Sequence, residues 1–186
     1  MARAGGVRAG QDVAMETWDA VRARRNVRQY TDQPIARADL ERILEAGRRA
    51  PSAGNWQPWN FVVVSDRDQL IELAKVWERG GGHIAQSAAT IAMVAAEPED
   101  QRHRDFVYYD FGQATATMML IATDLGIGSG HSAVADQAQA ERVLGFPSGY
   151  WCVYLMGLGY PADRPLRPLV KPNRQPFDEV VHWDRW

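Results

Sequence analysis

The sequence predicts a layered α+β (or α/β) domain built on a small mixed sheet, and three observations carry that expectation. Segments with helical apolar spacing alternate with single short apolar or β-branched runs, the pattern of helices packed on a sheet. A length of 186 residues with 46% hydrophobic and 24% charged positions suits one globular domain with a real core. There is no internal repeat and no linker long enough to divide the chain, so residues 15–186 are expected to form a single domain.

Residues 1–14 carry no periodicity and are expected to be a disordered extension, with Met15 opening the first helix. From Glu16 to Arg25, Trp18 and Val21 recur at helical spacing, predicting an amphipathic helix that Pro34 keeps from running on. A second helix spans about Ala38 to Ala50, with Leu40, Ile43, Leu44 and Gly47 on one face and Pro51 as its stop. Phe61 to Ser65 (FVVVS) reads as a buried strand. Asp68 to Glu78 is helical, and Gly80–Gly82 breaks it; Thr90 to Ala96 is the next strand.

The longest helix is expected from about Arg104 to Leu125. Small and apolar residues occur all round it, which suits a helix in the centre of the molecule or at a subunit interface. GIGSG ends it. A helix from Asp136 to Leu144 leads to the strand YWCVYLMG. From Pro161 to Trp186 the chain has five prolines and no helical or strand period until VVHWDRW, yet it finishes with Phe177, Trp183 and Trp186. Such a tail is expected to lie across another surface, that of a partner subunit.

The balance of 21 basic and 23 acidic residues offers no general attraction for nucleic acid or an anionic membrane. No run approaches the ~18 apolar residues of a membrane span, and the first residues lack the apolar centre of a signal peptide. The single cysteine, Cys152, cannot close an internal disulfide and reads as a core residue. These features predict a soluble, cytoplasmic protein.

A cationic feature must therefore be local. In RRNVRQY, Arg24, Arg25 and Arg28 follow the first helix closely enough to converge, and with the Asn26 amide they suit a doubly ionised phosphate. A solvated basic face is the alternative. In PSAGNWQPW, Ser52, Asn55 and Gln57 supply short polar groups, Gly54 permits an unusual backbone angle, and Pro51 and Pro58 stiffen the loop. A planar heteroaromatic framed by Trp56 and Trp59 would use such a set; an ordinary helix-to-strand loop would use the same residues. In GIGSGHSA, three glycines suit a loop whose backbone N–H groups approach a flat ligand, although a helix stop explains the first of them. It is neither a dinucleotide fingerprint nor a Walker loop.

These pieces occur in order: RRNVRQY, a helix ending RRAPSAGNWQPWNFVVV, a long helix closing DLGIGSG, a strand closing GLGYP, and the tail KPNRQPFDEVVHW. Over nearly all of the chain after Met15 this order resembles the FMN-dependent nitroreductase family. The resemblance implies a nitroreductase-like fold, in which helices pack a small, mixed, mainly antiparallel sheet. It also implies an intertwined homodimer with an extended C-terminal tail and a flavin site at the subunit interface.

By position, Arg24, Arg25, Asn26 and Arg28 match the segment that grips the FMN phosphate and ribityl chain. Pro51 and Ser52, with Asn55 nearby, match the loop on the ring's edges. His131, Ser132 and Ala133 match the stretch whose backbone approaches N5. Arg174 matches a basic residue that returns to the phosphate, with Lys171 beside it. Asn26 stands where the family usually has Ser. His131 is a candidate proton donor, with a structural histidine as the alternative; no catalytic acid or base is otherwise singled out, and no metal site is expected.

The implied activity passes a hydride from NADH or NADPH through flavin N5 to a nitroaromatic, quinone or related small-molecule acceptor. Alternatives on the same fold are a non-catalytic flavin-binding or storage protein, and a specialised flavin or deazaflavin enzyme such as a dehalogenase or dehydrogenase. The compact GGGHIAQSAAT and EPEDQRHRD connections leave little room for the helical excursion that family members with broad nitroaromatic activity often carry over the active site.

Overall fold

Strands β1 (Asn60–Val64), β2 (Ala89–Ala96), β3 (Gly128–Ser132) and β4 (Tyr150–Gly159) form one sheet in the order β1-β2-β4-β3, with every neighbouring pair antiparallel. The computed structural model describes residues 15–186, so the extension expected over residues 1–14 lies outside the described residues. A single parallel bridge, Asn26 to Ser129, adds the mixed character at the β3 edge.

The central strand β2 explains the layering. Ile91, Met93 and Ala95 enter one core cluster while Ala92 and Val94 enter the other, so the run is apolar throughout because both of its faces are covered. One cluster lies against α2 (Arg37–Arg48) and α5 (Gln101–Asp124). The other lies against α3 (Arg67–Ala74), α4 (Gly82–Ala85) and α6 (Gln137–Leu144). A register shift between Met93 and Val94 marks a bulge against β4. Helix α2 approaches α5 closely at Gly47, where a Cβ would stand 2.8 Å from Met118 Sδ. Cys152 is buried in the core as expected, and burial pushes its thiol up to about 12.

Several local expectations change. Helix α1 (Thr17–Ala23) turns Ala20 and Ala23 inward and leaves Trp18 69% exposed and Val21 44% exposed. It packs against α5, and small residues permit that approach where Trp18 would not. Helix α5 starts before Arg104 because the Asp100 carboxylate accepts from His103 N at 2.8 Å and caps it. β1 is an edge strand with Val63 partly exposed, rather than fully buried. Gly82 opens α4 instead of ending α3.

The segment GSGHS is strand β3, not a loop. Its glycines leave room for a neighbour: a Cβ on Gly128 would stand 2.5 Å from Val27 Cγ2, and one on Gly130 would stand 2.4 Å from Val27 O. Among the described residues, no helix is long and apolar enough to cross a membrane. A last short helix, α7 (Phe177–Val180), lies in the exposed tail.

Candidate functional site

Helix α1 stops at Arg24, whose backbone is extended (φ −58°, ψ 126°), and the chain then runs beside the sheet. Val27 N donates to Ser129 O at 2.8 Å, Thr31 N to Tyr160 O at 2.9 Å, and Ala162 N to Gln29 O at 3.0 Å. Val27 fills the space left by Gly128 and Gly130, so its neighbours Asn26 and Arg28 face outward and are exposed. Tyr30 shares its O–H between Val27 O (2.8 Å) and Gly157 O (3.1 Å). Burial raises that phenol far above its ordinary value, against the pull of Arg28.

The three arginines of the cluster divide. Arg25 has a side chain only 13% exposed, and its Nη2 donates to Asp163 Oδ1 at 2.7 Å and to Arg164 O at 2.6 Å. Its guanidinium holds Asp163 below the usual carboxylate range. It latches the start of the tail, and its Nε is buried without a partner. Among the described residues neither Arg24 nor Arg28 enters an ion pair. These are the cations left open to an anion.

His131 stands on β3, half-buried, with its ring edge-on to Tyr154 at 6.4 Å. Burial, then Arg24, then His83 push its pKa below the ordinary histidine value, so near neutral pH it is an uncharged N–H donor rather than an imidazolium. His83 lies between Gly80 O (3.0 Å from Nδ1) and Gly130 O (3.1 Å from Nε2). Burial lowers its pKa by more than the two carbonyls raise it. Ser132 is buried, with its hydroxyl donating to Ala133 O at 3.1 Å.

The loop between α2 and β1 is a second construction. Gly54 (φ 55°), Asn55 (φ 58°) and Gln57 (φ 54°) all occupy the left-handed region, costing about 1 kcal/mol at each non-glycine. Its own groups hold it. Asn55 N donates to Ser52 O, Trp56 N to Ala53 O, and Gln57 N to Ser52 Oγ at 2.9 Å. The Gln57 side-chain amide donates to Asn55 Oδ1 at 3.2 Å. Ala53 N reaches both carboxylate oxygens of Asp110 at 3.1 Å, and Gln113 Nε2 donates to Pro51 O at 3.3 Å.

The two tryptophans differ in environment. Trp59 stacks on Phe61 at 6.4 Å and packs edge-on to Phe111, as part of the core. Trp56 is 48% exposed and edge-on to His103 at 6.0 Å. It borders an open cavity of about 690 Å³ together with Ala53, Gly54, His103 and Phe106.

One chain does not assemble all of the expected residues. The arginine segment is sewn to β3 and the loop leads into β1, at opposite edges of a four-stranded sheet. Three strand spacings separate those edges, about 14 Å. Arg174 and Lys171 are exposed on the tail, and the Arg174 guanidinium donates to Asn173 O at 2.6 Å. The residues that sequence reasoning passed over are those that brace the site: Asp110, His83, Tyr30 and Asp163. Asp110 left one sign, a carboxylate set in the run FVYYDFG of an apolar helix.

The sequence model described as the nitroreductase family matches residues 21–97 and 76–160. The chain belongs to the nitroreductase family. Its relatives include a candidate NADH dehydrogenase/NAD(P)H nitroreductase of Archaeoglobus fulgidus, 32% identical over 168 residues, which span 88% of this chain and 94% of the relative. An NADPH-flavin oxidoreductase of Vibrio harveyi is 28% identical over 91% of this chain and 74% of its own length. In fold, this nitroreductase-family chain superposes on an FMN-dependent nitroreductase of Clostridium difficile with a TM-score of 0.77, at 24% identity, covering 90% of this chain and 98% of the other.

Proposed function

We propose that this nitroreductase-family chain is an FMN-dependent oxidoreductase. It takes reducing equivalents from NADH or NADPH and delivers them to a nitroaromatic, quinone or related small-molecule acceptor, as a cytoplasmic homodimer in which residues 15–186 form one domain. The observation that carries this reading is the pair of uncommitted guanidiniums, Arg24 and Arg28, held on a rigid sheet edge beside His131. Such forks suit a phosphate monoester, and the relatives of Archaeoglobus and Vibrio supply the flavin and nicotinamide context.

The residues present fit the cofactor. Arg24 and Arg28, with the Asn26 amide, would hold its phosphate, and the braced loop from Pro51 to Asn55 would meet the ring edge. When bound, the flavin supplies two-electron chemistry between a nicotinamide and an acceptor. The chain's own share is to bind and orient. The backbone at His131–Ala133 lies beside the cationic segment, and His131 is held as a neutral N–H donor. Open guanidiniums favour negative charge nearby.

The separation of the two constructions at opposite sheet edges supports a site completed between two copies. So does a tail that exposes Phe177, Trp183 and Trp186, with Lys171 and Arg174 on it as candidates to reach a phosphate. The test is anaerobic mixing of the FMN-loaded protein with NADH and NADPH while the flavin band near ~450 nm is followed. Rapid bleaching is expected. A tightly held flavin whose band never changes would replace the reductase with a storage protein. Arg28→Ala is expected to stay folded and lose roughly 1.5–3 kcal/mol of FMN binding, about 10- to 150-fold in Kd, for a lost charge-assisted bond. Full retention of the yellow colour after dialysis would remove the phosphate assignment.

A further inference from the structure

Asp110 lies in the middle of α5 with 0% of its surface exposed, among Val107, Phe111 and Ala114. A buried carboxylate is costly unless it is well paired, and aspartate is a weak helix former. Among the described residues its one hydrogen-bond donor is Ala53 N, which stands 3.1 Å from each oxygen. Nothing in α5 itself needs this side chain. The loop does.

Within the loop, the amides of Asn55, Trp56 and Gln57 are all consumed by acceptors on Ser52 and Ala53. The turn is thus closed on itself, with three left-handed residues between Gly54 and Gln57, and it grips α5 at two points. One is the exposed contact of Gln113 with Pro51 O; the other is the part-buried contact of Ala53 N with the buried side chain of Asp110. These internal bonds fix the shape of the turn, whereas its place against the rest of the fold depends on its grip on α5.

We propose that Asp110 is a positioning residue: through Ala53 it sets the Ser52–Asn55 turn, and with it the Ala53–Gly54–Trp56 wall of the neighbouring cavity. The functional consequence rests on the flavin reading above, whereas the anchor itself does not. A second acceptor at this position should preserve part of the effect, and removal of the donor from the other side should reproduce the defect.

The experiment compares Asp110→Asn, which keeps an oxygen for Ala53 N–H, with Asp110→Leu, which does not, and with Ala53→Pro, which deletes the donor. Residue-resolved amide exchange reads the loop, and Ala114 and Met118 report whether α5 remains intact. An FMN titration is run on each protein. In Asp110→Leu the Asn55 and Trp56 amides are expected to exchange at least about 10-fold faster with Ala114 and Met118 unchanged, and FMN Kd to rise about 10-fold or more. Ala53→Pro should match it, and Asp110→Asn should fall between it and the wild type.

Because Ala53 is on a partly exposed loop, its variant answers the question even if Asp110→Leu does not fold. Unchanged loop exchange in Ala53→Pro, or FMN Kd within about twofold of wild type in folded variants, overturns the proposal. A wild type that takes no FMN, with loop exchange still accelerated in the variants, removes the flavin reading and leaves the anchor standing.

Discussion

Gly130→Ala is the sharpest test of why β3 is rich in glycine. A Cβ built there stands 2.4 Å from the backbone oxygen of Val27, at least 0.6 Å inside the 3.0 Å that real Cβ contacts respect. The neighbour is main chain, so no rotamer change relieves the overlap. The Val27 segment must move away, and it is held there by Val27 N to Ser129 O at 2.8 Å and by Tyr30 O–H to Val27 O at 2.8 Å. Losing or stretching both costs about 2 kcal/mol, and residual overpacking adds about 1 kcal/mol or more.

A total near 3 kcal/mol lowers Tm by roughly 6–12 °C for a chain of this size. Since the same segment carries Arg24 and Arg28, FMN affinity should fall as well. Thermal melts followed by circular dichroism, paired with FMN titration, measure both effects. Gly82→Ala is the control, because a Cβ there meets nothing within 4 Å, and it should change stability by no more than about 1 kcal/mol. If Gly130→Ala melts with the wild type and binds FMN equally well, the close-packing account of this glycine is wrong.

Two further outcomes are expected. His83 and His131 both have pKa values held down by burial, so the unfolded chain takes up protons that the folded chain resists. Stability should therefore be flat at high pH and decline as pH falls through about 6.5, the unfolded histidine value. Melting temperatures from pH 8 down to pH 5.5 check this, and a Tm that holds steady across that range contradicts it. Sedimentation of the FMN-loaded protein should give a mass near twice 20.8 kDa; a stable flavin-bound monomer would contradict the two-copy site.

Much of the architecture is legible in the residues because each helix or strand writes its own period. Leu40, Ile43 and Gly47 mark the inner face of α2, and the continuous run Thr90–Ala96 announces a strand covered on both sides. The arginine cluster and the PSAGNWQPW loop were visible for the same reason: their chemistry is concentrated in a few adjacent positions. The order of these phrases also marked the family, which the comparisons then bore out.

What folding alone decided is who meets whom. GSGHS reads as a loop until Val27, a hundred positions away, is seen packed across its glycines. Trp18 has helical spacing, yet α1 turns its alanines inward because a close partner leaves no room for an indole. Arg25 looks equivalent to Arg24 and Arg28 until Asp163 claims it, and Asp110 reads as an anomaly until Ala53 N–H appears beside it. Periodicity is a property of neighbours along the chain, so one sequence records it. Steric clearance, ion pairing and hydrogen-bond satisfaction depend on residues brought together across the fold, and only the tertiary structure supplies those distances.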